Sequence, residues 1–356
     1  MTFACPMCRT TLTASDGGYQ CSGCQRRWET KNGVPVLSPD PVLYPKEYVT
    51  PEQFDAWLAD IETHGWDEAG RWLREAMESR GQKWRSVVSL SFDRTRADFH
   101  HLVPVEPHHA VLDYGCGLGS ILFGLQPHAA QVVGIDQSLY RARLINTRAK
   151  AIGASNVMGI CAGNSPHLPF PDASFDLVVM NGVLEWTPRA QEGKPSDVHA
   201  RVLREVARVL KPGGALYLAI ENRYGYRYLW GRRDSHNAGK KLPYVTVLPR
   251  ALADLYTRAA SRVPYRTWLH SYGGLRRLLG RTGFPNTSFF FPYPTYNQYR
   301  SFIPIDQSAA AAKAIDLILS HDQLPRPERL ALTTLRGTGL AAHLAQDFAV
   351  VARKAE

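Results

Sequence analysis

Val111-Leu112-Asp113-Tyr114-Gly115-Cys116-Gly117-Leu118-Gly119 is an apolar run that ends in an acid and then breaks into glycines at alternate positions. His109–Asp113 is short and apolar enough for a buried parallel strand, and Ile121-Leu122-Phe123-Gly124-Leu125 reads as the start of a helix. The order is therefore strand, glycine turn, helix. Glycine accepts positive φ and lets a ligand approach the backbone closely. Alone, a G-x-G-x-G turn also suits a dinucleotide enzyme.

The flanking sequence narrows the choice. Gln131-Val132-Val133-Gly134-Ile135-Asp136 is a second strand ending in an acid, about 20 residues after the loop, where a carboxylate accepts ribose hydroxyls. A helical stretch Leu139–Ile152 and a third strand near Asn156–Ile160 follow. Gly163–Phe170 is a loop, and Ser174–Asn181 a fourth strand. An amphipathic helix over Val198–Leu210 ends at Lys211-Pro212-Gly213-Gly214, and Ala215–Ile220 is a fifth strand. Alternating strands and helices predict an α/β, doubly wound, mostly parallel sheet.

In this order the motifs resemble the class I S-adenosylmethionine-dependent methyltransferases, over roughly residues 90–220. Gln346–Lys354 is similar to that family's last strand, and Thr287–Phe291 is expected as the sixth. The resemblance implies a seven-stranded Rossmann-like methyltransferase sheet. It also implies roles for single residues. Asp113 would order the glycine loop or sit near the cofactor's amino group, and Gly115, Gly117 and Gly119 would touch its methionine part. Asp136 would hold the ribose, with Gln137 beside the adenine. Asn181 would face the sulfonium. Asn164 stands where the family commonly has an Asp, and its side-chain carbonyl can accept the same adenine bond. The sulfonium itself makes methyl transfer favourable. The protein's task would be to align a nucleophile and exclude water, with a base added for a hydroxyl acceptor.

Two CxxC pairs, Cys5–Cys8 and Cys21–Cys24, open the chain. Two such turns supply four thiolates for one tetrahedral Zn²⁺ with no open position, hence a structural metal. Gly17 and Gly18 fit a hairpin tip between them, and Trp28, Val34, Val36 and Leu37 a small core. The stretch resembles zinc-ribbon modules found on or beside several methyltransferases, including bacterial ribosomal-RNA guanine methyltransferases. Pro39, Pro41, Pro45 and Pro51 mark a linker. Phe54, Trp57, Leu58 and Ile61 then recur at helical spacing, and Trp72, Leu73, Met77, Trp84, Val87 and Val88 continue the apolar series. The expected divisions are 1–38 zinc-ribbon-like module, 39–103 linker and lead-in helices, 104–220 cofactor core, 221–284 helical substrate cap, and 285–356 closing strands with a helical insertion.

The net charge of +10 admits an anionic partner. Residues 201–300 alone carry a surplus of about +14, so the remainder is slightly acidic. Arginine far outnumbers lysine, which composition bias also produces. No apolar run approaches the roughly 20 residues of a membrane span, and no signal peptide is read at the N-terminus. A cytoplasmic protein is expected.

The basic, aromatic stretch after the fifth strand is read as the acceptor-binding cap. Asn181–Trp186, Ala219–Arg223, Asp234-Ser235-His236 and Phe291–Tyr296 resemble methyltransferases found with lipopolysaccharide O-antigen and other surface-glycan genes. That resemblance implies an anionic, glycan-type acceptor, a sugar on a nucleotide or lipid pyrophosphate. Arginines would bind its phosphate, and tyrosines and Trp268 would stack on its sugar. His236, Glu185 and Glu221 are the candidates for a base or substrate orienter. A nucleic acid acceptor and a non-catalytic cofactor-binding scaffold are the competing readings. Cys116 and Cys161 are expected as small buried residues.

Overall fold

The computed structural model describes residues 1–42, 50–78, 92–234, 241–321 and 323–355. Trp84, Val87, Val88 and His236 lie outside these residues, and the side chains of Trp72, Leu73 and Met77 are not among those described. The chain divides into two compact units. Met1–Val179 with Arg208–Gly214 form the first, and Met180–Ala207 with Ala215–Glu356 the second.

The first unit begins with an antiparallel meander of β1 (Leu12–Ser15), β2 (Gly18–Cys21), β3 (Arg27–Lys31) and β4 (Val34–Pro35). The β1–β2 turn passes through Gly17 at φ 71°, a left-handed conformation that glycine adopts without strain. Trp28, Val34, Val36 and Leu37 are buried as expected. Val34 and Val36 pack against Leu139, Ala142 and Cys161, so the small module draws on the sheet domain for its core.

Helix α1 (Pro51–His64) starts at a capping box. The Thr50 hydroxyl accepts from the Gln53 N–H, the Gln53 side chain accepts from the Thr50 N–H, and proline occupies the first turn. Its apolar face of Phe54, Trp57, Leu58 and Ile61 meets Tyr140 and Leu144. Helix α2 (Trp66–Glu78) follows. The sheet strands of this unit are β5 (Ala110–Tyr114), β6 (Gln131–Asp136), β7 (Val157–Cys161) and β8 (Phe175–Asn181). Helices α3 (Ser120–Leu125) and α4 (Leu139–Ala151) connect them. β5 runs parallel to both neighbours, with Leu112 opposite Val133 and Val178. Val111, Leu112, Val132, Val133, Val178 and Val179 are almost completely buried, as strands covered on both faces require.

The second unit carries α5 (Thr187–Ala190), α6 (Pro195–Val209) and the greater part of β9 (Leu210–Glu221). Next come α7 (Tyr226–Leu229), the strand pair β10 (Arg233–Asp234) and β11 (Leu242–Pro243), α8 (Arg250–Ser261) and α9 (Tyr272–Gly280). β12 (Asn286–Thr295), β13 (Gln298–Pro304), α10 (Ser308–His321), α11 (Arg326–Thr338), α12 (Ala341–Leu344) and β14 (Asp347–Arg353) complete it. β14 pairs antiparallel with both β9 and β12.

Strands β8 and β9 each contribute to both units, and the full strand order is β13-β12-β14-β9-β8-β5-β6-β7. Among the described residues the sheet has eight strands, where seven were expected. β12 continues past Phe291 to Thr295, and β13 returns antiparallel to it with Phe291 opposite Ile303. Pro292 and Pro294 hide this continuation in the sequence, because proline removes a ladder donor and reads as a strand end. β9 also begins five residues early, at Leu210, and takes in the Lys211–Gly214 turn.

Candidate functional site

The glycine loop leaves β5 with Gly115, Gly117 and Gly119 at φ 77°, 55° and 87°. At Gly119 a Cβ would lie 2.4 Å from Ile145 Cδ1 and force that side chain aside, and the left-handed backbone itself disfavours any other residue. The Gly115 and Cys116 N–H groups both donate to the Ile135 carbonyl, at 2.8 and 3.0 Å, which ties the loop to the end of β6. Asp136, the last residue of β6, closes the same corner. Its Oδ2 accepts from the Gly117 N–H at 3.2 Å and from Arg141 at 3.1 Å, and its Oδ1 accepts from the Ser138 N–H at 2.9 Å.

Asp113, near the end of β5, is 2% exposed, and its Oδ2 has no hydrogen-bond partner. Burial pushes its pKa up to about 7; the Arg96 charge opposes this and the Asp136 charge adds to it. A buried carboxylate oxygen without a donor is costly, and a cationic amino group would satisfy it. Gln137 holds Val42 through its backbone carbonyl (2.9 Å), and its side chain is exposed. The Asn164 amide has both ends engaged within the first unit. Nδ2 donates to the Asp40 carbonyl at 2.6 Å, and Oδ1 accepts from the Ser38 hydroxyl. Each end keeps further capacity, a second N–H on Nδ2 and a second lone pair on Oδ1, so these bonds fix the amide without using it up.

The second unit gathers the other candidates. Asn181 ends β8, and neither atom of its amide group has a partner. Glu185 is fully buried in the turn Leu184–Trp186. Glu221 ends β9 and faces Asp347, the first residue of β14, in the antiparallel register. Asp347 Oδ2 accepts from the Tyr296 N–H at 3.1 Å, and its Oδ1 has no partner. Burial first and the Glu221 charge second push the Asp347 carboxyl up to about 8. Tyr296 is raised by burial and by the charges of Glu221, Glu185 and Asp347, which places these groups in one locale. Asp347 escaped the sequence reading as a candidate because it was counted with the last strand. The available signal was an acid opening a strand antiparallel to one that ends in Glu221. His236 lies outside the described residues.

The four N-terminal thiols converge. Cys5, Cys8, Cys21 and Cys24 have Sγ atoms all within 4.8 Å of one another. Cys5–Cys24 and Cys8–Cys21 are 3.6 and 3.4 Å apart. A disulfide requires about 2.05 Å, whereas thiolates about 2.3 Å from a tetrahedral zinc are about 3.8 Å apart. The geometry fits a zinc site.

Comparison with known proteins accords with this geometry. The methyltransferase-domain family model matches residues 112–218. A rice 24-methylenesterol C-methyltransferase 2 is 31% identical over 165 residues, 46% of this chain and 41% of that protein. An Arabidopsis thaliana 24-methylenesterol C-methyltransferase 2 is 36% identical over 124 residues, 34% of this chain and 31% of that one. A trans-aconitate 2-methyltransferase of Methylobacterium nodulans is 30% identical over 201 residues, 53% of this chain and 68% of that enzyme. The match thus spans less than half of the two sterol enzymes. A parallel core of β5, β6, β7 and β8, antiparallel pairing of β14 with β9, left-handed glycines after β5 and an acid ending β6 define a Rossmann-like donor-binding fold. The chain belongs to the class I S-adenosylmethionine-dependent methyltransferases.

Proposed function

We propose that the chain transfers a methyl group from S-adenosylmethionine to a small anionic acceptor, an oxygen of a phosphate-bearing sugar. The observation that carries the donor half is the corner built by Gly115, Gly117 and Gly119 with Asp113 and Asp136. Three left-handed glycines expose backbone, one buried carboxylate oxygen lacks a donor, and a second acid ends β6. Bound there, S-adenosylmethionine would supply an electrophilic methyl on a sulfonium. Asp113 would accept from the amino group, and Asp136 would hold the ribose hydroxyls at the expense of its present bonds.

For a hydroxyl acceptor the base is assigned to Glu221. Burial and the facing Glu221 charge push the Asp347 carboxyl up to about 8, and Glu221 would take the hydroxyl proton as the methyl is transferred. Glu185 and His236 remain as orienters. The zinc would hold the N-terminal module and take no part in the chemistry.

The small-molecule reading is supported by the trans-aconitate and sterol enzymes among the relatives and by the basic, aromatic composition of residues 221–300. The test is methyl transfer from radiolabelled S-adenosylmethionine to a panel of nucleotide sugars, lipid-pyrophosphate sugars, a sterol, trans-aconitate and RNA. Label on a phosphate-bearing sugar is expected. Label on RNA alone, or cofactor binding with no turnover on any acceptor, would overturn the reading.

A further inference from the structure

The second unit contains a pocket of about 510 Å³ that the assigned residues do not use. Its walls include Lys194, Arg250, Arg258, Arg266, Tyr265 and Trp268. Two helices begin at it. The 15-residue α6 starts at Pro195 and the 12-residue α8 at Arg250, and both first residues line the pocket. Helix starts present N–H groups and a partial positive charge, which favour anions.

The charged side chains differ in how far they are already committed. Arg266 donates to the carbonyls of Pro188, Gln191 and Gly193, so it serves mainly as a structural tie. Arg258 is paired with Asp254 at 2.7 Å. The second Asp254 oxygen accepts from the Tyr265 N–H at 2.9 Å, so the one acid in the wall is engaged. Arg250 is different. It is half-buried, donates to the Leu269 carbonyl and lies 4.5 Å from the Trp268 ring centre. No carboxylate among the described residues lies within ion-pair distance of it. Burial lowers its pKa to about 10, the mark of a guanidinium in want of a counter-charge. Lys194 is exposed at the mouth.

We infer that this pocket is a phosphoryl subsite, in which Arg250 and Lys194 bind the mono- or diphosphate of a small acceptor and Trp268 borders the ring attached to it. This inference rests on the acceptor reading above. A concavity of this size with one half-buried arginine suits a small phosphate better than a polynucleotide, which needs an extended basic track.

The test is calorimetric titration of inorganic pyrophosphate into the full chain, with Lys194→Glu and Arg250→Gln as variants. The wild type is expected to bind, and each variant to lose at least tenfold in affinity while S-adenosylhomocysteine binding holds. A nucleotide sugar should displace pyrophosphate, and Lys194→Glu should raise the KM for a methylated phosphosugar with little change in kcat. Lys194 is exposed, so its variant reports even if Arg250→Gln fails to fold. Absent pyrophosphate binding, or binding indifferent to Lys194→Glu, would overturn the inference. So would failure of nucleotide sugars to compete, which would mark a free-phosphate site, or binding of an RNA oligonucleotide that pyrophosphate does not displace. If pyrophosphate and nucleotide sugars compete at Arg250 and Lys194 yet no phosphosugar is methylated, the pocket stands and the acceptor reading fails.

Discussion

Asp136 shows how much one side chain can be asked to do. Its two oxygens hold Gly117, Arg141 and Ser138, so the acid both shapes the glycine loop and ends the strand where a ribose would lie. Asp136→Ala should therefore lower S-adenosylhomocysteine affinity by more than tenfold, about 1.4 kcal/mol or more. Asp136→Asn should recover part of the loss, because an amide oxygen still accepts from the Gly117 N–H. Calorimetry on both variants checks this, and unchanged affinity in Asp136→Ala would remove the ribose assignment. The Asp113–Gly119 loop was legible in the sequence because its signal is local: an acid and three glycines on adjacent turns of chain. The Glu221–Asp347 pair was not. Its two members are 126 residues apart, and only the antiparallel register of β9 and β14 brings them face to face.

The elements themselves were readable where their periodicity was strong. The α1 face of Phe54, Trp57, Leu58 and Ile61 is buried as spaced, and β5, β6 and β8 fall on their apolar runs. β13 was missed because two prolines interrupt the strand it pairs with. A contact between elements is also invisible to periodicity. Fully buried His199 of α6 sits with Nδ1 2.8 Å from Nε2 of His270, which precedes α9. Burial, then the Arg250 charge, lowers His199 to about 3, and burial, His199, Arg250, Arg281 and Arg223 lower His270. Both rings are therefore neutral in the folded protein. Their pKa lies below the unfolded value near 6.5, so the unfolded chain binds more protons beneath that pH. Stability is then fully present above about pH 6.5 and is lost as pH falls below it, for His199 down to about 3, by up to roughly 1.4 kcal/mol per pH unit. His199→Gln, which keeps a hydrogen-bonding side chain, should flatten this slope. Urea midpoints at pH 7.5, 6 and 5 measure it, and parallel losses in wild type and variant would refute the assignment.

At the scale of the whole chain, the four-cysteine module is part of the first unit and shares its core. The Ala4 N–H donates to the Pro169 carbonyl and the His167 N–H to the Pro6 carbonyl, both at 3.1 Å. The Leu37 N–H donates to the Cys161 carbonyl at 2.8 Å, and Ser38 and Asp40 hold Asn164. The sequence presented the module as a separate bead on a proline-rich linker, since nothing local in Cys5–Cys24 reveals what it packs against. The structure carries the consequence further. If zinc closes the Cys5–Cys24 cluster, its loss should loosen the module and also the 162–170 segment stitched to it, Asn164 included. Elemental analysis should find about one zinc per chain. Chelation, or Cys5→Ser, should raise amide exchange both in residues 1–38 and in residues 162–170, and should weaken S-adenosylhomocysteine binding several-fold. The remote loss of affinity is the decisive readout, because a module standing by itself would unfold without it. A zinc-free wild type with unchanged exchange would count against the metal. Zinc loss that left residues 162–170 protected would instead show that the backbone bonds from Ala4, Pro6 and Leu37 hold the segment unaided.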